Sequence, residues 1–252
     1  MAAPSSSSDR PEPLFPQLSG GPGGREPKAV ARHQRVRLQG AMLEAVGRHG
    51  FAATTISELV GLAGVSKTTF YALFENKEEC FLDTFDTIVA TARERIGRAY
   101  LAADGGIEER LRAALEALME LVDEERTAAT LVVVDSLTLG ASATEHRTRS
   151  AAEFERLLRR GFERAPERGE ISELASRAIV AGILRVVYRR LRAGHPEQLR
   201  EQVGELVNWG LVYERSPGSE IARAVVAEAG APRRQRGAVQ EPGWEEPPDS
   251  RR

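Results

Sequence analysis

The feature that most limits how this chain folds is the absence of proline from Lys28 to Ala165. Proline ends or kinks a helix because it has no backbone N–H and its ring clashes with the preceding turn. A stretch of this length without proline therefore permits long helices. The same stretch has no sustained alternation of polar and apolar residues, which a half-buried strand would need. The sequence predicts an all-α fold.

The prolines are concentrated at the two ends of the chain. Residues 1–27 hold six of the 13 prolines with four glycines and five serines, and residues 214–252 hold another five prolines. Segments of this composition bury too little apolar surface to offset the entropy lost on ordering. We predict a disordered N-terminal arm over 1–27 and a mostly disordered C-terminal tail over 214–252, with the folded part between them.

Apolar residues recur at helical spacing through the folded part. Leu38, Ala41, Met42, Ala45 and Val46 follow the i, i+3, i+4, i+7, i+8 pattern of a helix with one buried face. Together with glycine breaks and cap residues, this periodicity predicts helices over 30–49, 56–62, 67–73, 77–102, 107–123, 125–139, 144–165, 172–193 and 197–213.

Composition restricts the class of protein. The net charge is −2, which is unlike a polybasic protein that coats nucleic acid. No apolar run approaches the roughly 20 residues that span a bilayer. Residues 1–24 have no apolar core of the kind a secretion signal needs. We expect a cytoplasmic protein without a membrane partner.

Metal, disulfide and nucleophile chemistry have no support in the sequence. Cys80 is the only cysteine, so the chain forms neither an internal disulfide nor a multi-cysteine zinc site. The four histidines are scattered, and none stands at metal-ligand spacing with Cys80. Ser136 and Ser142 have no histidine or acidic partner at a recognisable spacing, so nucleophilic catalysis has no support. We expect no metal, no other cofactor and no enzymatic activity.

Three helix start signals are packed into residues 52–82. Thr55, Ser66 and Asn76 each stand where a side-chain oxygen would cap the helix that follows. Gly64 lies between the first two of these helices, where a tight turn needs a residue that accepts a positive φ. Two short helices joined by a three- or four-residue turn with glycine form a helix-turn-helix unit.

The second helix of this unit carries side chains suited to a DNA duplex. Small and hydroxylated residues at the N-terminus of a recognition helix approach base edges closely, and lysine donates to guanine or phosphate. Neighbouring hydroxyls reach phosphates, and a lysine at the next helix start joins the backbone N–H groups there to hold one. The candidate DNA-binding residues are Arg35, Thr54, Thr55, Ser66, Lys67, Thr68, Thr69, Tyr71, Ala72 and Lys77.

Charge supports this assignment. Residues 28–82 hold seven Lys or Arg and five Asp or Glu, a net charge of +2, whereas the whole chain is at −2. We predict a helix-turn-helix DNA-binding domain over 28–82. Arg32, Arg35 and Arg37 leave two interpretations open, an arm that contacts DNA or an exposed helix start.

At these residues the sequence resembles the DNA-binding domain of TetR/AcrR-family transcriptional regulators. The resemblance covers roughly residues 33–82 and is carried by the run from Gly64 to Glu78, G-V-S-K-T-T-F-Y-A-L-F-E-N-K-E. The chain departs from the family pattern at Ala72, where a further aromatic side chain would contact a base or phosphate. It also departs at Leu73, where a histidine is common.

The resemblance implies a homodimer that binds a short, palindrome-like operator in double-stranded DNA and usually represses. It also implies a helical effector-binding and dimerisation domain, here residues 83–213, that responds to an unknown small-molecule effector. Two linked reading heads about one helical turn apart gain affinity and read a longer sequence, which makes a dimer reasonable on geometry as well.

Two apolar stripes near the end of the folded part are typical of paired antiparallel helices in a two-fold interface. Part of each stripe also faces the chain's own core, and the sequence does not divide the two roles. The candidate interface residues are Ala178, Gly182, Ile183, Val186, Val203, Leu206 and Gly210.

Large apolar side chains spread over the intervening helices predict a mostly apolar effector pocket, because those helices offer few interior polar groups. For any single one of these side chains, plain core packing is the favoured interpretation. The candidate pocket residues are Tyr100, Met119, Phe154, Phe162 and Tyr188.

Three functions are consistent with these patterns. The first is a sequence-specific transcriptional regulator, which the resemblance implies is a repressor released by a small, mostly apolar effector. The second is an all-α small-molecule carrier or enzyme whose helix-turn-helix is only structural, which predicts no salt-dependent DNA binding. The third is a sequence-neutral DNA-packaging protein, for which a domain charge of +2 is weak.

Overall fold

The structure, a computed structural model, describes residues 27–164 and 171–212, and this part of the chain is helical without strands. The α-helices are α1 (Pro27–Ala53), α2 (Ile56–Ala63), α3 (Lys67–Leu73), α4 (Lys77–Ala102), α5 (Ile107–Glu124), α6 (Arg126–Val133), α7 (Ala141–Glu163), α8 (Glu173–Ala193) and α9 (Val203–Val212). Short 3-10 helices, Asp135–Leu139 and Pro196–Gln202, precede α7 and α9. The predicted all-α fold is confirmed.

Local cap chemistry sets the beginnings of the short helices. The side chains of Thr55, Ser66 and Asn76 each accept a hydrogen bond from the backbone N–H three residues later, at 3.2, 3.0 and 2.8 Å. These are the predicted N-caps of α2, α3 and α4. In a capping box the Glu58 carboxylate would accept a hydrogen bond from the backbone N–H of Thr55. Here this carboxylate lies 3.1 Å from Nε2 of His49 instead.

Some helices differ from their predicted extent. The predicted helix end at Gly50 is confirmed by its non-helical φ of 80° and ψ of 164°, and a short helical stretch to Ala53 follows this kink. The predicted helix over 125–139 is divided after α6, where the Ser136 hydroxyl donates to the carbonyl of Val132 at 2.6 Å and competes with the helical pattern. The predicted helix over 197–213 begins as a 3-10 helix at Pro196.

The first four helices and α6 share one hydrophobic core. Met42 of α1, Leu59 of α2, Phe70 of α3, Phe81 of α4 and Leu131 of α6 are fully buried in it. Burial of a side chain of this size stabilises the fold by about 1.5–3 kcal/mol. The helix-turn-helix unit is therefore held on a platform to which α6 contributes.

The remaining helices pack around α5. Met119 of α5, Val187 of α8 and Val207 of α9 are buried in a second core cluster. A third cluster brings Phe162 of α7 against Ile179 of α8. These clusters surround the inner faces of α4 to α8, where the candidate effector pocket lies.

The predicted division between residues 82 and 83 falls inside α4, which is one continuous helix. Its first turns carry Cys80 into the helix-turn-helix core, and its last turn carries Tyr100 into a separate cluster. The predicted disordered segments 1–27 and 214–252 lie outside the described residues, apart from Pro27, where α1 begins. Of the described helices, none is both long and apolar enough to cross a membrane.

Candidate nucleic-acid interface

A left-handed glycine makes the turn between α2 and α3. Gly64 has φ 59° and ψ 42°. Its N–H donates to the carbonyl of Gly61 at 3.2 Å, and the N–H of Val65 donates to the carbonyl of Val60 at 3.0 Å. This is a Schellman-type helix end, which favours glycine because a side chain is strained at this φ. A Cβ on Gly64 would also collide with Nη2 of Arg37.

The helix after this turn presents a small, polar face. Ser66 is the N-cap of α3, and its Oγ lies 3.0 Å from the hydroxyl of half-buried Thr69. The exposed side chains of α3 are those of Lys67, Thr68, Tyr71 and Ala72. They occupy its first turns, which is where a recognition helix contacts base edges.

Buried aromatic rings fix the rotation of α3. Phe70 is fully buried and Phe74 nearly so. Their ring centroids lie 5.7 Å apart, and the Tyr71 ring meets Phe70 edge to face at 5.5 Å. Aromatic pairs of this geometry stabilise by about 0.5–1.5 kcal/mol beyond their burial. The buried rings therefore determine which side chains of α3 are exposed to solvent.

Two predicted phosphate ligands are turned into the domain. The Lys77 ammonium donates to the carbonyls of Phe51, Ala52 and Thr54 at 3.0, 3.3 and 2.8 Å. Its three protons therefore cap the last turn of α1. Thr54 is buried, and its hydroxyl donates to the carbonyl of Gly50 at 3.0 Å. The structure thus engages the side chains of Lys77 and Thr54 in hydrogen bonds within the domain, so neither is free to contact a phosphate as the sequence predicted.

Arg35 is also engaged within the domain. Its Nε and Nη2 donate to the Asp83 carboxylate at 2.9 and 2.6 Å, and its guanidinium lies 5.4 Å from the centroid of the Phe74 ring. Buried Gln39 donates to the same carboxylate at 2.8 Å. The hydrogen bond with Asp83 raises the pKa of Arg35. This guanidinium bridges α1 to α4, so of the two interpretations left open the geometry of Arg35 favours the helix start.

The sequence reasoning missed Asp83 and Gln39. Arg35 and Asp83 are 48 residues apart, and no spacing rule joins positions at that separation. After these corrections, the candidate DNA-contacting residues that remain exposed on α2 and α3 or at their caps are Thr55, Ser66, Lys67, Thr68, Tyr71 and Ala72.

An apolar cavity of about 170 Å³ lies among α4, α5, α6, α7 and α8. Tyr100 and Glu125 bring the only polar side-chain groups among its lining residues. Burial raises the pKa of Tyr100. Apolar cavities of comparable size stay dry and bind small apolar molecules. Representative apolar side chains of the five walls are Ile96, Leu118, Val132, Phe154 and Ile183.

Two of the five predicted pocket residues, Tyr100 and Phe154, line this cavity. Met119 and Phe162 are buried in core clusters but do not line the cavity, and half-buried Tyr188 does not line it either. Periodicity identifies large apolar residues but does not say which of them face a gap. Most residues that line the cavity are aliphatic, and the sequence does not distinguish them from ordinary core residues.

The predicted interface stripe of α9 faces the chain's own core. Val203, Leu206 and Gly210 are all buried. A Cβ on Gly210 would stand 3.3 Å from Cδ2 of Leu111 on α5, so the small residue permits close packing within the chain.

The predicted residues of α8 serve several roles. Ile183 lines the cavity and Val186 is half-buried. Gly182 faces the Trp209 ring, with which an added Cβ would collide. Ala178 is exposed. The larger exposed apolar side chains of these two helices are those of Leu174, Leu184 and Val212.

Within residues 27–164 and 171–212, no group of three or more His, Cys, Asp or Glu is placed to hold a metal ion. Cys80 is buried, and burial raises the pKa of its thiol to about 12. The thiol is therefore protonated at neutral pH, which makes it a packing residue rather than a nucleophile.

The helix-turn-helix segment matches a known family. Residues 41–84 match the family described as bacterial regulatory proteins, tetR family. The match covers α2 and α3 completely, with the second half of α1 and the start of α4. No curated protein sequence matches the chain.

Solved structures share the fold of the described helices at low sequence identity. The fatty acid degradation regulator FadR from Bacillus halodurans aligns with a TM-score of 0.63 and 17% identity, over 75% of this chain and 97% of that one. FadR from Bacillus subtilis, solved in complex with stearoyl-CoA, aligns with a TM-score of 0.61 and 16% identity, over 69% and 96%. A TetR family transcription regulator from Marinobacter aquaeolei VT8 aligns with a TM-score of 0.57 and 18% identity, over 74% and 97%.

The family match falls on the segment that carries the N-caps, the left-handed Gly64 and the exposed face of α3. The solved structures agree with the all-α architecture that surrounds this segment. Members of the matched family are DNA-binding regulators and not enzymes. Residues 41–84 are therefore a helix-turn-helix segment of the tetR family of bacterial regulatory proteins, and the described helices share the fold of solved regulators.

Proposed function

We propose that this protein is a sequence-specific transcriptional repressor that acts as a homodimer and leaves its operator when a small, mostly apolar effector binds. The observation that carries the proposal is the position of α6. This helix belongs to the core beneath the DNA-reading helices and also forms one wall of the apolar cavity.

The DNA-reading part of the proposal rests on α3. Its small exposed residues, Thr68 and Ala72, allow close approach to base edges, while Lys67 and Tyr71 carry donors long enough to reach bases or phosphates. Thr55 at the start of α2 is placed to contact the backbone of the duplex. We also propose the division into a DNA-binding domain and an effector domain, with α4 shared by both.

The two faces of α6 link the cavity to the DNA-reading helices. Ala128 and Leu131 are buried in the core shared with α1 to α4. Ala129, Val132 and Val133 line the cavity. An occupant that displaces α6 must therefore move side chains that support the helix-turn-helix unit. This gives an effector a route to change the affinity for DNA, provided that it binds the two positions of α6 unequally.

The chemistry of the cavity sets the class of effector. Its walls are almost wholly apolar, so transfer of an apolar group from water is the main source of affinity. The complex of Bacillus subtilis FadR with stearoyl-CoA supports a ligand with a long apolar part for a chain of this fold. Repression is proposed because it is the usual action of the family.

The proposed dimer uses the outward face of α8 with the end of α9. Leu174 is 75% exposed and Val212 is 72% exposed in the isolated chain. Ala178 lies one turn after Leu174 and allows a second helix to approach closely. The buried residues of α9 are excluded from this interface, since they already pack against α5 and α8.

The second function, a carrier or enzyme with a structural helix-turn-helix, is not favoured. A carrier or enzyme would give no functional explanation for the exposed hydroxyls and Lys67 of α3. It also fits poorly with the family to which residues 41–84 belong.

Selection of DNA from a random duplex pool, followed by footprinting and affinity titration at two salt concentrations, tests the proposal. We expect a palindromic site protected over one or two helical turns, with affinity that falls steeply with salt because counterions are released from phosphates. A scrambled duplex serves as the control. Equal affinity for the selected and scrambled duplexes would contradict sequence-specific recognition, and no salt-dependent binding would favour the carrier.

A further inference from the structure

A second depression adjoins the apolar cavity on the other side of the seam between α4 and α7. This groove has a volume of about 330 Å³ and is lined by Arg93, Gly97, Glu153, Arg156, Leu157 and Arg160. Leu157 lines the groove and the apolar cavity alike. The two spaces therefore adjoin at Leu157, and Gly97 contributes no side chain to the groove.

The groove carries an excess of positive charge. Its three arginines face one carboxylate, that of Glu153, which is paired with Arg93. Among the described residues, Arg156 and Arg160 have no ion pair, and both are exposed. Two guanidinium groups thus remain available to an anion at the mouth of the groove.

The spacing of these two arginines also favours an anion. Arg156 and Arg160 are four residues apart on α7, so they lie on one face of the helix and repel each other. An anionic group between them would turn this repulsion into charge-assisted hydrogen bonds, and guanidinium groups are matched in geometry to phosphate and carboxylate.

We infer that the effector is an amphipathic anion whose apolar chain occupies the cavity and whose phosphate or carboxylate head is bound in the groove by Arg156 and Arg160. This inference rests on the proposed function, since it names the class of effector for the same cavity. It assigns to these arginines the task of selecting charged ligands over neutral ones with the same chain. Leu157 lies at the point where chain and head meet.

Three probes that share one alkyl chain separate the contribution of the apolar chain to the affinity from that of the charged head. Octanol, octanoate and octyl phosphate share an eight-carbon tail and remain monomeric, and isothermal titration calorimetry gives the dissociation constant of each. For the wild-type chain we expect at least one anion to bind about tenfold more tightly than octanol, because hydrogen bonds to charged groups exceed neutral ones. The better of the two anions identifies the head.

The double variant Arg156→Ala/Arg160→Ala tests the assignment. We expect it to lose the tenfold preference for the anion while its dissociation constant for octanol stays unchanged. The double variant Arg98→Ala/Arg149→Ala removes the same charge from exposed positions of α4 and α7 outside the groove, and it should retain the preference. If both double variants lost the preference for the anion, the preference would depend only on the net charge of the protein, and the inference would be overturned.

The outcomes distinguish the two levels of the proposal. Equal affinity of the wild-type chain for all three probes would overturn the anion site and leave the apolar effector in place. Failure of all three probes to bind, in a protein that still protects a selected duplex, would overturn both the effector role of the cavity and the anion site.

Discussion

Lys67 and Lys77 belong to the same helix-turn-helix segment, and the structure gives their side chains different surroundings. Lys77 is half-buried and its ammonium is held by three backbone carbonyls, those of Phe51, Ala52 and Thr54. Lys67 is exposed at the start of α3. A residue type that suits DNA binding does not by itself locate a DNA contact, because the same ammonium also suits the carbonyls at a helix end.

Lys77→Ala should lower the stability of the protein. The variant leaves three carbonyls without their charged donor, and hydrogen bonds to charged groups contribute about 1.5–3 kcal/mol each when buried. Because Lys77 is partly exposed, we expect a total loss of about 2 kcal/mol in the free energy of unfolding. Thermal and urea unfolding measure it. Unchanged stability would mean that the cap has no energetic role.

Lys67→Ala provides the matched experiment at the DNA face. It removes the same charge from an exposed position, so stability should change by less than about 0.5 kcal/mol. Affinity for the selected duplex should fall by about tenfold, together with a smaller salt slope if the ammonium contacts phosphate. Tyr71→Phe should likewise weaken binding without unfolding the domain. Wild-type DNA affinity in both variants would contradict the proposed docking of α3.

The burial of Cys80 makes a pH-dependent prediction. Its thiol pKa rises from an ordinary 9.0 to about 12 on folding, so the native state holds the proton more tightly than the unfolded state. Stability conferred by this group is complete below pH 9 and declines as the pH rises toward 12. At pH 8 we expect iodoacetamide to alkylate the folded protein far more slowly than the urea-unfolded protein. Equal rates, followed by mass spectrometry, would show that Cys80 is accessible.

At the scale of the helix, the sequence predicted what depends on near neighbours. The N-caps Thr55, Ser66 and Asn76 and the left-handed Gly64 were all predictable, because each acts within a few residues of the chain. The pairing of Arg35 with Asp83 was not, because it depends on how α1 lies against α4. The stripes of α8 and α9 were found, but their division between core and surface depends on the rotation of each helix.

Gly182 illustrates this division and gives a test of it. We assigned it to the dimer interface from the sequence, whereas the structure places it against the Trp209 ring, with Cζ3 2.9 Å from an added Cβ. Gly182→Ala should therefore cost about 1–2 kcal/mol, because overpacking outweighs the gain in helix propensity. In a Trp209→Leu background the same substitution should stabilise the protein. The same sign in both backgrounds, measured by urea unfolding, would contradict the intrachain contact.

At the scale of the whole molecule, the arrangement of the cores supports the proposal that effector binding affects DNA binding. The DNA-reading helices do not form a separate body, because α6 completes their core while also bounding the cavity. The similarity of solved structures at 16–18% identity shows that this architecture tolerates very different side chains.

The homodimer is a property of the whole molecule that the isolated chain makes testable. Leu174 and Ala178 are exposed on one face of α8, so an aspartate at either position costs little in the protomer but buries an unpaired charge in the proposed interface. We expect Leu174→Asp/Ala178→Asp to sediment as a monomer at concentrations where the wild-type chain is a dimer. Its operator affinity should fall at least about a hundredfold, since one reading head loses its linked partner.

Leu101→Asp is the matched control for that experiment. Leu101 is 61% exposed at the end of α4, so the substitution introduces a similar charge on an apolar surface position outside the proposed interface. This variant should remain dimeric and bind the operator as the wild-type chain does. If the α8 double variant stays dimeric while Leu101→Asp dissociates, the interface lies at α4 instead. If the wild-type chain is itself monomeric and still protects a palindromic site, the dimer forms only on DNA, and the α8 substitutions should then abolish cooperative occupation of the two half-sites.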